Sequence, residues 1–218
     1  MKRVGHGGAS ALVRANTLES FDAALAIGVD MIEFDVRGNG RGELVLAHTR
    51  LDLRRPGCPR LDDALLHLSA PQFDEVALNL DLKTPRCEAA VVDSIERFGL
   101  HDRVLVSSQV PSLLDRVREL DARVMTGISV GGRASRWCRR WGDWREAVLE
   151  AIAAGRFSSL MAQHGLIDPH LIQAVKDRGA EIYAWTVNDH RAITRLAALG
   201  VDGVVTSDPR LFTLASLD

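Results

Sequence analysis

Two carboxylates, Glu33 and Asp35, stand two residues apart in Met31-Ile32-Glu33-Phe34-Asp35-Val36, set among apolar side chains. In a strand, successive side chains alternate between faces, so this spacing turns both acids to one side and Ile32, Phe34 and Val36 to the other. Two like charges roughly 7 Å apart on an inward face are costly unless a cation, or a raised pKa, absorbs the repulsion. A second segment, Leu78-Asn79-Leu80-Asp81-Leu82-Lys83, repeats the pattern with Asp81 and Lys83 at i and i+2. If it lies beside the first strand, three carboxylates converge without any thiolate. That donor set describes a hard-oxygen site for one divalent cation, Mg²⁺ or Ca²⁺, rather than zinc.

Lys83 adds a fixed positive charge next to the expected cation, and the two together suit an anionic substrate such as a phosphate ester. His6 and His48 fall where they can flank the same point. Cleaving a phosphodiester needs a base for the attacking oxygen and an acid for the leaving one, and two imidazoles can fill both roles near neutral pH.

The elements that must position these residues alternate from end to end. Strands are expected at Arg3 to His6, Met31 to Val36, Val76 to Lys83, Val104 to Ser107, Arg123 to Ile128, Ser159 to Ala162, Ile182 to Val187 and Val204 to Ser207. Helical patterns lie between them near Thr17 to Ile27, Leu61 to Leu68, Glu88 to Phe98, Pro111 to Leu120, Trp144 to Ala154, Pro169 to Arg178, Asp189 to Leu199 and Pro209 to Leu217. Starts are marked by Asn16, Asp168-Pro169 and Asn188-Asp189, and stops by Gly28, Gly99, Gly179 and Gly200. An eightfold β-then-α alternation over 218 residues reads as one α/β domain, a (β/α)8 TIM barrel spanning residues 1–218. An open doubly wound sheet is the alternative, disfavoured by the number of strands.

Barrels of this kind do chemistry at the C-terminal ends of their strands. The residues expected there are His6, Glu33, Asp35, Asp81, Lys83, Ser107 to Gln109, His164, Trp185, Asn188 and Ser207-Asp208. One segment breaks the rhythm: Gly38 to Gly42 is a flexible turn, and Glu43 to His48 a short extended arm. Folded back as a hairpin after the second strand, it carries His48 toward Glu33 and Asp35.

Composition excludes several classes. A net charge of −2 gives no general attraction to nucleic acid or to a membrane surface. No apolar run approaches the ~18 residues of a membrane span, and Met1 to His6 enters a strand at once, with no secretory h-region. Cys58, Cys87 and Cys138 are scattered, odd in number and unpaired by spacing, which suits a reducing compartment. A cytoplasmic protein with no integral membrane segment is the expectation.

Seven segments in order carry a resemblance: Gly5-His6-Gly7-Gly8-Ala9-Ser10, Asn16-Thr17-Leu18-Glu19-Ser20-Phe21, Gly28 to Val36, Leu44-Val45-Leu46-Ala47-His48, Leu80-Asp81-Leu82-Lys83, Trp185-Thr186-Val187-Asn188 and Gly200 to Pro209. Together they resemble the glycerophosphodiester phosphodiesterase family. The resemblance implies a metal-dependent barrel of lipid and glycerol metabolism that hydrolyses glycerophosphodiesters to glycerol 3-phosphate and an alcohol. By position it makes Glu33, Asp35 and Asp81 metal ligands, His6 and His48 the acid/base pair, Lys83 a phosphate or metal-shell contact and Trp185 an apolar wall for the glycerol part. In the family a substrate hydroxyl next to the phosphate is thought to attack first, giving a cyclic phosphate that water then opens.

The departures from the family pattern are specific. Gly7 stands where an arginine is usual, Ala15 where a glutamate is, Thr49 where an aspartate follows the histidine, and the third ligand is Asp81 rather than glutamate. Arg14, Arg37 or Arg50 is expected to replace the lost phosphate contact, with Arg14 the favoured candidate. Only Thr49 to Arg60 separates His48 from the next helix, so no sizeable cap covers the rim, which leaves room for bulkier diesters including lipid head groups. Sphingomyelinase D-like barrels share the aspartate ligand and the missing arginine. A phospholipase D-like activity giving a stable cyclic phosphate is therefore the rival reading, and a weakly active barrel that binds a phosphorylated ligand is another. Trp137, Trp141 and Trp144 form a helical stripe with basic flanks, either packed on the domain or serving as a lid or membrane contact. His67, His101, His170 and His190 read as solvated.

Overall fold

The computed structural model describes residues 1–40, 42–132 and 141–214. Its elements, in chain order, are β1 (Lys2–His6), α1 (Leu18–Ile27), β2 (Met31–Gly38), β3 (Leu44–Leu46), α2 (Leu61–Leu68), β4 (Ala77–Leu82), α3 (Glu88–Arg97), β5 (Val104–Ser108), α4 (Pro111–Leu120), β6 (Met125–Val130), α5 (Trp141–Ala153), β7 (Ser159–Gln163), α6 (Pro169–Lys176), β8 (Glu181–Trp185), α7 (His190–Leu199), β9 (Gly203–Thr206) and α8 (Leu211–Leu214). Eight parallel strands run β1-β2-β4-β5-β6-β7-β8-β9 and close by pairing β9 with β1, which makes a (β/α)8 TIM barrel. β3 is the extra strand. It pairs antiparallel to β2 through Val36↔Leu46 and Arg37↔Val45, the hairpin expected from the glycine-rich turn.

Alternation along each strand separates two apolar layers. Ile32, Phe34 and Val36 face the helices and join the large outer core, where Phe21 of α1 meets Phe34 with ring centroids 5.3 Å apart. Val4, Met31, Leu105, Met161, Tyr183 and Val205 face inward and fill the barrel. The interior is thus a packed plug under the C-terminal mouth, not a channel.

Most boundaries match the sequence reading to within a residue or two, with instructive differences. Thr17, not Asn16, caps α1, its side chain accepting from the Ser20 N–H. Asn16 instead adopts a left-handed backbone, φ 61°, and turns its carboxamide to Asp35. Asp189 likewise caps α7, while Asn188 accepts from the Ser207 N–H at 2.9 Å. In both pairs the amide side chain serves a tertiary contact and its neighbour ends the helix. Two histidines expected to be solvated are half-buried and paired with carboxylates: His101 Nε2 lies 2.9 Å from Asp121 and His67 Nε2 lies 2.8 Å from Asp22. Trp137 and most of the arginines around it lie outside the described residues. Trp144 is half-buried against the outer core, and Arg145 pairs with Asp168 at 2.8 Å, tying α5 to the start of α6.

Candidate active site

Register brings the sequence-identified acids together. β1 sets His6 opposite Glu33, and β2 pairs with β4 so that Glu33 opposes Asn79 and Asp35 opposes Asp81. Partners in register share a face, so all five side chains turn into the C-terminal mouth. One carboxylate oxygen from each of Glu33, Asp35 and Asp81 lies within 4.8 Å of the others. Lys83, one step above Asp81 on the same face, sets its Nζ 3.0 Å from Asp35 Oδ1 and donates to Asp81 Oδ2.

The loops fix these groups from outside. After β1, the Gly7 N–H donates to Glu33 Oε2 at 3.0 Å, while the Ser20 hydroxyl holds the Gly7 carbonyl at 2.7 Å. Gly7 sits at φ 57°, and a Cβ there would come within 2.9 Å of Ala15 Cβ. Gly7 and Ala15, the two positions at which the chain departs from the resemblance's arginine and glutamate, therefore face each other, and the left-handed backbone at Gly7 favours glycine. Asn16 grips Asp35 twice: its Nδ2 donates to Asp35 Oδ2 at 2.9 Å and its Oδ1 accepts from the Asp35 N–H at 3.0 Å. In the sequence Asn16 marks only a helix start, because its role depends on a left-handed turn that local pattern does not reveal.

The two histidines reach the acids from different directions. His48, at the end of the β3 arm, places Nδ1 3.1 Å from Asp35 Oδ1 and leaves Nε2 free. Arg37 braces it, Nη2 donating to the His48 carbonyl at 2.8 Å. His6 Nε2 lies 3.9 Å from Glu33 Oε2, and its Nδ1 is 3.4 Å from Ser207 Oγ.

Crowded charge separates the carboxyls. Burial, with repulsion from Asp35 and Asp81, pushes Glu33 well above the usual carboxylate range. Burial also raises Asp81, only partly offset by Lys83. Burial would raise Asp35 too, but hydrogen bonds from His48 and Asn16 and the charge of Lys83 carry it below its ordinary value. Burial opposes the charge on Lys83, yet three surrounding acids raise it. The imidazoles diverge: burial lowers His6, whereas the bond to Asp35 raises His48.

A cavity of about 310 Å³ opens over this cluster. His6, Glu33, His48, Asn79, Asp81 and Lys83 form its charged and polar side, while Met161, Trp185 and Val205 face them with Ser107, Gln109, Ser129 and Thr186. Trp185 is anchored by its indole N–H to the Met161 carbonyl at 2.9 Å. Ser107 and Gln109 reach the cavity as expected, but Ser108 turns its hydroxyl to the Leu82 carbonyl. His164, on a short 3₁₀ turn, is not among the lining residues. Arg14 also sits elsewhere, donating to the Pro56 carbonyl at 3.0 Å beside a smaller pocket of about 110 Å³ that shares His48. None of Arg14, Arg37 and Arg50 lines the main cavity, so Lys83 is its fixed cation among the described residues. Asn79, Ser129, Met161 and Thr186 were not singled out from sequence. Asn79 carried a readable signal, a polar residue two before Asp81 in an apolar strand.

The cluster fits a divalent cation on its own chemistry. All donors are hard oxygens, and Asp81 Oδ1 is buried with no hydrogen-bond partner. A bound cation would supply that partner and relieve the repulsion that raises Glu33.

The model of the glycerophosphoryl diester phosphodiesterase family matches residues 6–56 and 61–211. A glycerophosphodiester phosphodiesterase of Arabidopsis thaliana is 29% identical over 238 aligned residues, covering 95% of this chain and 70% of its own length. One from Caldanaerobacter subterraneus is 26% identical, covering 94% of this chain and 93% of its own. Among solved structures, one from Silicibacter pomeroyi superposes with a TM-score of 0.84 at 23% identity, over 100% of this chain and 95% of its own. An Oleispira antarctica phosphodiesterase, solved in complex with the product sn-glycerol-3-phosphate, gives 0.79 at 21% identity, over 100% and 97%. With the family model matched over nearly its whole length, the chain belongs to the glycerophosphoryl diester phosphodiesterase family.

Proposed function

We propose that this chain is a phosphoric diester hydrolase, one barrel domain over residues 1–218, that splits glycerophosphodiesters or similar small phosphodiesters into glycerol 3-phosphate and an alcohol. The observation that carries the reading is the meeting of Glu33, Asp81, Lys83 and two imidazoles around a single cavity, with Asp35 buried beside them in the same acid cluster, in a chain of this family. Among the described residues no helix is long and apolar enough to cross a membrane. A cytoplasmic location belongs to the same proposal.

Glu33, Asp35 and Asp81 would hold the divalent cation, Mg²⁺ or Ca²⁺, which when bound polarises a phosphoryl oxygen. Lys83 places a second positive charge where the phosphate would lie. His6 and His48 exchange protons through their Nε2 atoms, since Nδ1 of His48 is held on Asp35 and Nδ1 of His6 faces Ser207. One ring takes the proton of the attacking substrate hydroxyl as its oxygen bonds to phosphorus, and the other gives a proton to the departing alkoxide. Water then opens the resulting cyclic phosphate to glycerol 3-phosphate, the second ring now taking the proton of the water and the first returning one to the freed hydroxyl. Asp35 keeps the His48 ring aimed, the role of an orienting carboxylate behind a catalytic imidazole. Trp185 and Met161 offer an apolar wall to the glycerol carbons.

A second reading has support of its own. Gly7 stands where the resemblance has an arginine and the third acid is Asp81, both features shared with sphingomyelinase D-like barrels. Product analysis separates the readings. Glycerophosphoethanolamine and a lysophospholipid are incubated with the enzyme, Mg²⁺ and Ca²⁺, and followed by phosphorus NMR. Accumulating glycerol 3-phosphate is the expected result. A stable cyclic phosphate would assign the chain to the phospholipase D-like class, and no turnover with either cation would leave only a ligand-binding barrel.

A further inference from the structure

Asn79 stands out once the roles above are assigned. It is 1% exposed, lines the cavity beside Glu33 and Asp81, and is the register partner of Glu33 across the β2–β4 pair. Its Oδ1 is buried with no hydrogen-bond partner. Of four such side-chain atoms among the described residues, Asn79 Oδ1 and Asp81 Oδ1 lie on one strand, two residues apart, at one cavity. Its register neighbour on the other side is Leu105, part of the apolar plug. An amide oxygen buried there without a partner costs stability that an aliphatic residue would not.

We propose that Asn79 Oδ1 is a fourth protein ligand of the divalent cation, the neutral one in a set whose other members are charged. The inference rests on the reading of Glu33, Asp35 and Asp81 as cation ligands. Hard cations of this class take six or more oxygens, side-chain amide carbonyls included. Three carboxylates with Lys83 already balance a doubly charged ion, so a further carboxylate would add repulsion without need. A carboxamide adds an oxygen and no charge, which accounts for asparagine rather than aspartate opposite Glu33.

The test is calorimetric titration of the chelator-stripped full chain with Ca²⁺ and with Mg²⁺, alongside thermal unfolding in chelator. Asn79→Leu is expected to weaken cation binding about 10-fold or more, the scale seen when groups supporting a metal are removed. In chelator the same variant should be at least as stable as the parent, because it removes an unpartnered polar atom. Asn79→Asp, which keeps the oxygen, should bind within a few-fold of the parent. Weak binding together with undiminished metal-free stability is a signature that a purely structural residue would not give. Unchanged cation affinity in Asn79→Leu overturns the inference. If that variant does not fold, a loss of more than 10-fold in Asn79→Asp overturns it instead. Glu33→Gln separates the layers: cation binding unaffected by Glu33→Gln would sink the three-carboxylate reading itself.

Discussion

The two mouths of the barrel handle charge in opposite ways. At the N-terminal mouth, Lys2 Nζ meets Glu181 at 2.9 Å and the Tyr183 hydroxyl at 2.9 Å, and that hydroxyl donates to Glu181 at 2.6 Å. Nearby, Arg103 satisfies the Leu68, Phe73 and Val76 carbonyls at 2.7, 2.6 and 2.9 Å. Among the described residues, the unpartnered buried side-chain atom at this mouth is a neutral hydroxyl, Ser159 Oγ. At the C-terminal mouth three acids share one lysine, and two oxygens are left without partners. One end pairs its charges within itself, while the other gathers acids whose mutual repulsion a bound cation would offset. Matched pairs serve stability, and convergent like charges are kept where a ligand offsets them.

The comparison breaks most sharply under matched neutralisation. Asp81→Asn should lower kcat/KM by more than about 100-fold, beyond what is lost when a group merely supporting a metal is removed. Glu181→Gln, at the other mouth, should leave kcat/KM within twofold and lower Tm by a few degrees at most, as for an exposed ion pair. His48→Ala follows, with kcat falling about 10²- to 10⁴-fold, the usual contribution of a positioned acid or base. Arg37→Ala, which only releases the His48 carbonyl, should move kcat in the same direction by less.

A smaller effect concerns stability of the chelator-treated protein. Glu33 has a folded pKa above its unfolded one, so in that window the native state binds more protons than the unfolded chain. Stability therefore declines as pH rises above the ordinary glutamate value near 4.5 and levels off only past the raised one. Glu33→Gln should flatten this slope and raise Tm at pH 8 by roughly 2–4 °C for each kcal/mol of relieved repulsion. A Glu33→Gln protein less stable than its parent in chelator would show that the crowding is not felt. Smallest is Asp168→Ala, away from both mouths. Losing the cap on Leu171 and the Arg145 pair should cost about 1 kcal/mol by urea unfolding with turnover intact.

What could be read from the chain was whatever repeats with strand or helix period. The alternation in Met31 to Val36 and in Leu78 to Lys83 fixed which side chains face inward, and eight such strands closed the barrel. The β3 hairpin was legible because glycine-rich turns between short apolar runs have few other solutions. The remainder depended on contacts between distant segments. Asn16 at φ 61°, Asn79 opposite Glu33 and Ser207 beside His6 owe their roles to loop conformation or register. Arg14 lay in a segment able to reach the rim, but the Pro56 carbonyl draws it to a neighbouring pocket. The tryptophan stripe from Trp137 to Trp144 falls largely outside the described residues, and only its last member can be placed, against the outer core.

The central claim is that Glu33, Asp35 and Asp81 work by holding one divalent cation between His6 and His48. It is tested most directly by release of glycerol 3-phosphate from glycerophosphoethanolamine, measured before chelation, after it, and after Mg²⁺ or Ca²⁺ is restored, in the parent and in Glu33→Gln. Activity should vanish with chelator, return with the cation in the parent, and stay absent in the variant. Turnover that persists both in chelator and in Glu33→Gln would contradict it.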